Sequence, residues 1–162
     1  MESWFVMSVG KRFEYQLRNA FREKYPDAFV ERQTDRLYTA GASAESPPDL
    51  IINRDGANYL IECKAVKGRS IPFSRLGFGQ KRYLCAYDAI GEYHHGFVAC
   101  LFYNGQRGSG RVYRGWLVPI PYWVDYEYKY PRKSISMKDI ERDLDDHELF
   151  WEHSAWHLQD WM

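Results

Sequence analysis

The sequence has no apolar run near the roughly 20 residues that a membrane-spanning helix needs. Its longest such run, Phe97 to Tyr103, is the size of a buried strand. The opening residues, Met1 to Met7, lack the basic start and long apolar stretch of a signal peptide. Cysteine is scarce: Cys63, Cys85 and Cys100 are odd in number, widely spaced and set in apolar runs. They read as buried thiols in a reducing compartment, the cytoplasm, and not as a disulfide framework or a zinc site. The five histidines match no zinc spacing; His153 and His157 could share a helix face, but no cysteine lies near them. Repeats and low-complexity tracts are missing too, so one domain is expected over residues 1–162.

Net charge is also absent, with 22 basic and 22 acidic side chains. The balance hides an asymmetry. Residues 1–138 carry 21 basic and 14 acidic groups, whereas residues 139–162 carry eight acids and a single base, Arg142. A basic body with an acidic end is the pattern to explain. Aromatic residues, at 17%, are abundant enough to supply a core or a stacking surface.

Ser8 can cap a first helix whose apolar stripe is Phe13, Leu17, Phe21 and Tyr25, ended by Pro26. Phe29 to Gln33 reads as a short strand, and Tyr38 to Pro48 as a loop rich in small residues. Asp49 to Ile52 and Asn58 to Ala65 alternate as strands, and Asp55-Gly56 between them predicts a hairpin. A second helix is expected over Gly79 to Ile90, with Tyr83, Leu84, Tyr87 and Ile90 inward. Strands follow at His95 to Tyr103 and Arg111 to Val118. Pro119 to Pro131 reads as aromatic and irregular, and Ser136 with Asp139 as a capping box opening a helical acidic tail. The expected fold class is α/β: an αβββαβ core over about 8–118 with a central mixed sheet flanked by helices, and an aromatic, helical extension over about 119–162.

Chemistry concentrates at Pro48-Asp49 and Glu62-Cys63-Lys64. A tight hairpin brings Asp49 and Glu62 to the same end of the sheet, and alternation puts Lys64 on the face of Glu62. Two carboxylates suit a hard cation such as Mg²⁺. An ammonium beside them can hold a water or stabilise charge developing on a phosphate, as metal-assisted phosphodiester hydrolysis requires.

Pro48-Asp49…Glu62-Cys63-Lys64 resembles the PD-(D/E)xK motif of restriction-endonuclease-like nucleases. Gly10-Lys11-Arg12-Phe13-Glu14, Ala40-Gly41-Ala42-Ser43 and Asn58 to Lys64 are similar to segments of archaeal Hjc-type Holliday junction resolvases. Gln80 falls where related resolvases carry a glutamine, and Arg132 to Ser136 resembles a stretch of bacterial RecU-type resolvases. The likeness covers residues 8–103 well and the remainder thinly.

The resemblance implies that Asp49 and Glu62 bind Mg²⁺, or Mn²⁺ in its place, with the Cys63 carbonyl a further ligand and Glu14 completing the shell. It implies that Lys64 orients the nucleophilic water, that Ser43 approaches the scissile phosphate, and that Gln80 belongs to the catalytic set. The expected activity is a Mg²⁺-dependent, structure-selective endonuclease that resolves Holliday junctions as a homodimer, with branched DNA as substrate and no organic cofactor. So short a chain would suit a phage-encoded enzyme acting in the host cytoplasm.

Plainer readings stand beside these. Glu62 and Lys64 could be an ion pair on an exposed strand, Glu14 a surface partner of Arg18, Gln80 an exposed residue and Ser43 loop filler. Six bases and no acid lie from Lys64 to Arg82. Arg12, Arg32, Lys67, Arg69, Arg75, Lys81 and Arg82 are candidate DNA contacts, although charge runs usually only face solvent. Trp116, Tyr122, Trp123, Tyr126, Tyr128 and Tyr130 could stack on bases, though core packing explains such clusters more often. The alternatives to a junction resolvase are another nuclease of the same fold acting on duplex or flap DNA, and a catalytically silent DNA-binding module.

Overall fold

A computed structural model describes residues 7–33, 47–106, 112–153 and 155–159. It opens with α1 (Val9–Lys24), capped by the Ser8 hydroxyl, which accepts from the Lys11 N–H. Phe13, Leu17 and Phe21 of its apolar stripe are fully buried. β1 (Phe29–Arg32), β2 (Leu50–Arg54) and β3 (Ala57–Lys67) pair antiparallel. Asp55 and Gly56 both take positive φ, 52° and 83°, which joins β2 to β3 by the tight turn whose twist matches a hairpin.

β4 (Ser70–Pro72) leaves the sheet, and α2 (Phe78–Asp88) leads back to β5 (His94–Tyr103), which runs parallel to β3. β6 (Tyr113–Pro119) lies antiparallel to β5. A Cβ at Gly96 of β5 would sit 2.9 Å from the Leu84 carbonyl oxygen, so glycine there permits the close approach of α2. The helix buries Leu84, but Tyr83 beside it is exposed, and so is Ile90, which lies past the end of α2 at Asp88.

The C-terminal third holds α3 (Ile120–Lys129), β7 (Ser134–Ser136), α4 (Met137–Asp143), β8 (Glu148–Glu152) and β9 (Ala155–His157). The segment expected to be irregular is therefore helical: Ile120, Trp123 and Tyr126 recur at helical spacing and bury against the sheet. Ser136 caps α4 as expected, but the helix stops at Asp143 and the extension continues as strands. β8 pairs with β6 and β9 with β8. Among the described residues the main sheet has seven strands in the order β1-β2-β3-β5-β6-β8-β9, mixed because β3 and β5 run parallel and the other neighbours antiparallel. The expected αβββαβ order is present, with β4 inserted, so the fold is mixed α/β with a central sheet between helices.

Each face of the sheet covers its own core. α1 packs on one face with Leu50, Ile52, Ile61, Leu149 and Trp156. α2, α3, α4 and the β4–β7 ribbon close the other around Leu60, Val98, Trp116, Trp123 and Ile140. Trp116, Trp123 and Tyr126 are thus core residues, while Tyr128 remains 84% exposed. No helix among the described residues is long and apolar enough to cross a membrane.

Candidate active site

The β2–β3 ladder pairs Leu50 with Ile61, and one further step of the same register sets Asp49 opposite Glu62. Beyond that point β3 runs on without β2, and its backbone groups find other partners. The Cys63 N–H donates to Asp49 Oδ2 at 2.7 Å, and the Ala65 carbonyl accepts from Arg75 at 3.0 Å. The spacing of twelve residues between the two acids is thus a property of the hairpin.

Lys64 follows on the face of Glu62, and its Nζ lies 2.8 Å from Glu62 Oε1. Gln80 reaches the pair from the first turn of α2. Its Nε2 donates to the same Glu62 oxygen at 2.6 Å, while its Oε1 accepts from Lys64 at 3.1 Å and from the Gly77 N–H at 3.0 Å. One amide therefore closes the helix N-terminus and locks the carboxylate–ammonium pair.

Glu14 enters from α1 and is buried. It does not pair with Arg18, whose guanidinium bonds Asn19 instead. Arg32 of β1 takes Glu14 Oε2, with Nη2 at 2.8 Å and Nε at 2.9 Å, and lies over the Tyr15 ring. Lys11 stands 3.5 Å from the same oxygen. The role of Arg32 escaped the sequence reading, which grouped it with DNA contacts. A local signal existed: Val30 is buried against α1, and Arg32, two residues on, shares its face.

Of the three carboxylates, Asp49 is the one short of positive charge: Glu62 has Lys64, and Glu14 has Arg32 and Lys11. Burial, then the charge of Glu62, pushes Asp49 up to about 7, against the Cys63 amide that favours its ionised form. Burial raises Glu62 as well, despite the ammonium of Lys64 beside it. The Cys63 thiol is pushed well up by burial and by Asp49, so it stays protonated and is no thiolate ligand. Among the described residues, no cation hydrogen-bonds Asp49, and no three acidic, histidine or cysteine side chains already stand at ligating distance from one point. The donor set nonetheless suits a hard divalent cation: carboxylate oxygens only, buried enough that their own repulsion is felt.

The remaining candidates fall outside this corner. Ser43 and its loop lie outside the described residues. Arg12, Lys67, Arg69, Arg75 and Arg82 are exposed, whereas Lys81 is paired with Glu127 at 2.9 Å. Arg32 and Lys81 therefore have carboxylate partners inside the protein.

No family model and no curated protein matches the sequence. Among solved structures, Hjc, a Holliday junction resolvase from the archaeal hyperthermophile Archaeoglobus fulgidus, is similar to this chain with a TM-score of 0.43 and 17% identity, over 70% of this chain and 75% of that one.

Proposed function

We propose that this protein is a Mg²⁺-dependent, structure-selective endodeoxyribonuclease that resolves four-way DNA junctions. The observation that carries the reading is Asp49, a carboxylate with no cation bonded to it among the described residues, set opposite Glu62 on the face that Lys64 shares. Asp49 and Glu62 would hold the divalent ion, with Glu14 contributing through water; Mn²⁺ has the same ligand preference. When bound, the ion supplies Lewis-acid stabilisation of charge on the scissile phosphate.

The chain's own groups do the positioning. An ammonium has three N–H donors. In Lys64 one meets Glu62 and one meets Gln80, which leaves the third to hold the attacking water or a phosphate oxygen. Gln80, tied to the start of α2, keeps that ammonium from rotating away. Arg32 holds Glu14 at the corner. Hydrolysis would leave 5′-phosphate and 3′-hydroxyl ends, and a homodimer would place two such sites symmetrically, as paired nicks require.

A synthetic immobile four-way junction, incubated with Mg²⁺ beside matched duplex and flap substrates, tests the reading. Symmetric cleavage of the junction alone is expected, lost in Asp49→Asn. Equal cutting of duplex would replace the resolvase by another nuclease of this fold. No cutting with Mg²⁺ or Mn²⁺ would leave a silent DNA-binding module.

A further inference from the structure

The β4–β7 ribbon joins segments far apart in sequence: Ser70 and Ser134, 64 residues apart, share a hydrogen bond of 2.8 Å. Ile71 and Ile135 face the core and are fully buried. At one end the Met137 N–H donates to the Arg69 carbonyl at 2.8 Å, which brings Lys138 close to Arg69. At the other the Phe73 N–H donates to the Lys133 carbonyl at 3.0 Å, two residues from Arg75. Arg75 in turn bonds the Ala65 carbonyl, one residue beyond Lys64. Ribbon and active corner are therefore continuous.

Most basic groups nearby are already neutralised. Arg132 and Arg142 hold Asp139, Arg142 also holds Asp143, Lys81 holds Glu127, and Arg114 holds Glu141 and Glu148. Lys67, Arg69, Arg75, Lys133 and Lys138 differ: all five are exposed, and none has a carboxylate partner among the described residues. They come from both halves of the chain: Arg69 and Lys138 flank one end of the ribbon, Arg75 and Lys133 the other, while the Lys67 side chain lies against Gly105.

We infer that the β4–β7 ribbon is a phosphate-binding surface for a nucleic-acid arm leading away from the Lys64 corner, with Lys133 and Lys138 as its principal contacts. The identity of the polyanion rests on the endonuclease reading; the surface itself rests on the unneutralised charge. With its flanking residues the ribbon spans about 13 Å. A DNA strand presents about four phosphates over that length of axis. The contacts are to backbone oxygens, so they position DNA without reading its sequence.

The test is fluorescence anisotropy of a labelled junction in chelator, where no cleavage occurs, across a salt series. Lys133→Glu with Lys138→Glu should weaken binding about tenfold or more and flatten the salt dependence by about two contacts. The neutral pair, Lys133→Gln with Lys138→Gln, should give a smaller loss of the same kind. Arg18→Glu with Lys24→Glu, an equal charge change on α1 across the sheet, should cost much less. Wild-type-like binding by the Lys133/Lys138 variant, or an equal loss in the control, overturns the inference. So does retention of DNA binding with loss of adhesion to phosphatidylserine vesicles. Melting temperature checks that each variant folds. Failure of the endonuclease reading shows separately, as DNA binding without cleavage in Mg²⁺ or Mn²⁺.

Discussion

Two acidic clusters in this protein are treated in opposite ways. At the β2–β3 corner, burial raises Asp49 and Glu62 above their ordinary values, helped by the charge of Glu62 on Asp49 and of Glu14 on both, and among the described residues Asp49 has only a backbone amide as hydrogen-bond donor. Around α4 the carboxylates are neutralised. Burial pushes Asp139 up, but Ser136, Tyr126, Arg132 and Arg142 outweigh it and hold it below its ordinary value. The Arg142 guanidinium takes Asp143 down to about 2. Asp139 and Asp143 are paired with arginines and serve the fold, whereas Asp49 has no such partner among the described residues, as the proposed cation site would require. The acidic segment around α4 is therefore no bare solvated tail. It is a set of caps, ion pairs and strands that completes the fold.

Neutralising one acid in each cluster draws the contrast most sharply. Glu62→Gln should lower junction cleavage by on the order of 10²–10³-fold or more, because the proposed metal ligand and the anchor of Lys64 go together. Its melting temperature should not fall. Asp139→Asn should leave cleavage per folded molecule unchanged. Loss of activity in Asp139→Asn, measured on the same junction, would break the distinction.

The next effect lies in the strands beyond α4. Trp156 of β9 is buried edge-on against Phe13 of α1 at 5.5 Å between ring centroids, and donates to Gln16. Trp156→Ala should cost about 3–5 kcal/mol in denaturant unfolding. Asp139→Asn should cost less, about 2 kcal/mol, because the hydrogen bonds of a charged group to Arg132 and Arg142 are weakened and not replaced. An unaltered midpoint for Trp156→Ala would mean that the last strands are ornament.

Smallest, and most diagnostic, is the pH dependence of the metal-free protein. The folded state binds the Asp49 proton more tightly than the unfolded chain between the ordinary value of 3.8 and about 7. Its contribution to stability therefore falls as pH rises through that window. Asp143 has the opposite sign: its folded value of about 2 lies below 3.8, so its contribution is full above the ordinary value and is lost as pH falls toward 2. In chelator at pH 8, Asp49→Asn should melt several degrees higher than the wild type, a gain that shrinks toward zero near pH 4. Adding Mg²⁺ should raise the melting temperature of the wild type and not of the variant. A variant that melts lower than the wild type at pH 8 would show that Asp49 is not under strain.

Much of the corner was legible because its determinants are local. A hydroxyl before an apolar stripe, strict alternation, and Asp55-Gly56 between two strands together set α1 and the β2–β3 hairpin. From these it follows that Asp49 faces Glu62 and that Lys64 shares their side. The same local logic failed for α3, where aromatic residues of modest helix propensity adopt a helix because the sheet offers a core to bury Trp123 and Tyr126. It failed again for β8 and β9, since a strand at the end of a chain is defined by the neighbour it pairs with.

The sequence by itself therefore determined the hairpin, the first helix and the meeting of two acids with one lysine, because turn chemistry and side-chain periodicity act within about ten residues. Only the tertiary structure decided the partners: that Arg32 holds Glu14, that Gln80 locks Lys64, that Asp139, Glu141, Asp143 and Glu148 are paired with arginines, and that Met137 bonds the Arg69 carbonyl. Ion pairs and strand neighbours form between segments dozens of residues apart. Which cation stays unpaired is settled only when every other charge has found its partner.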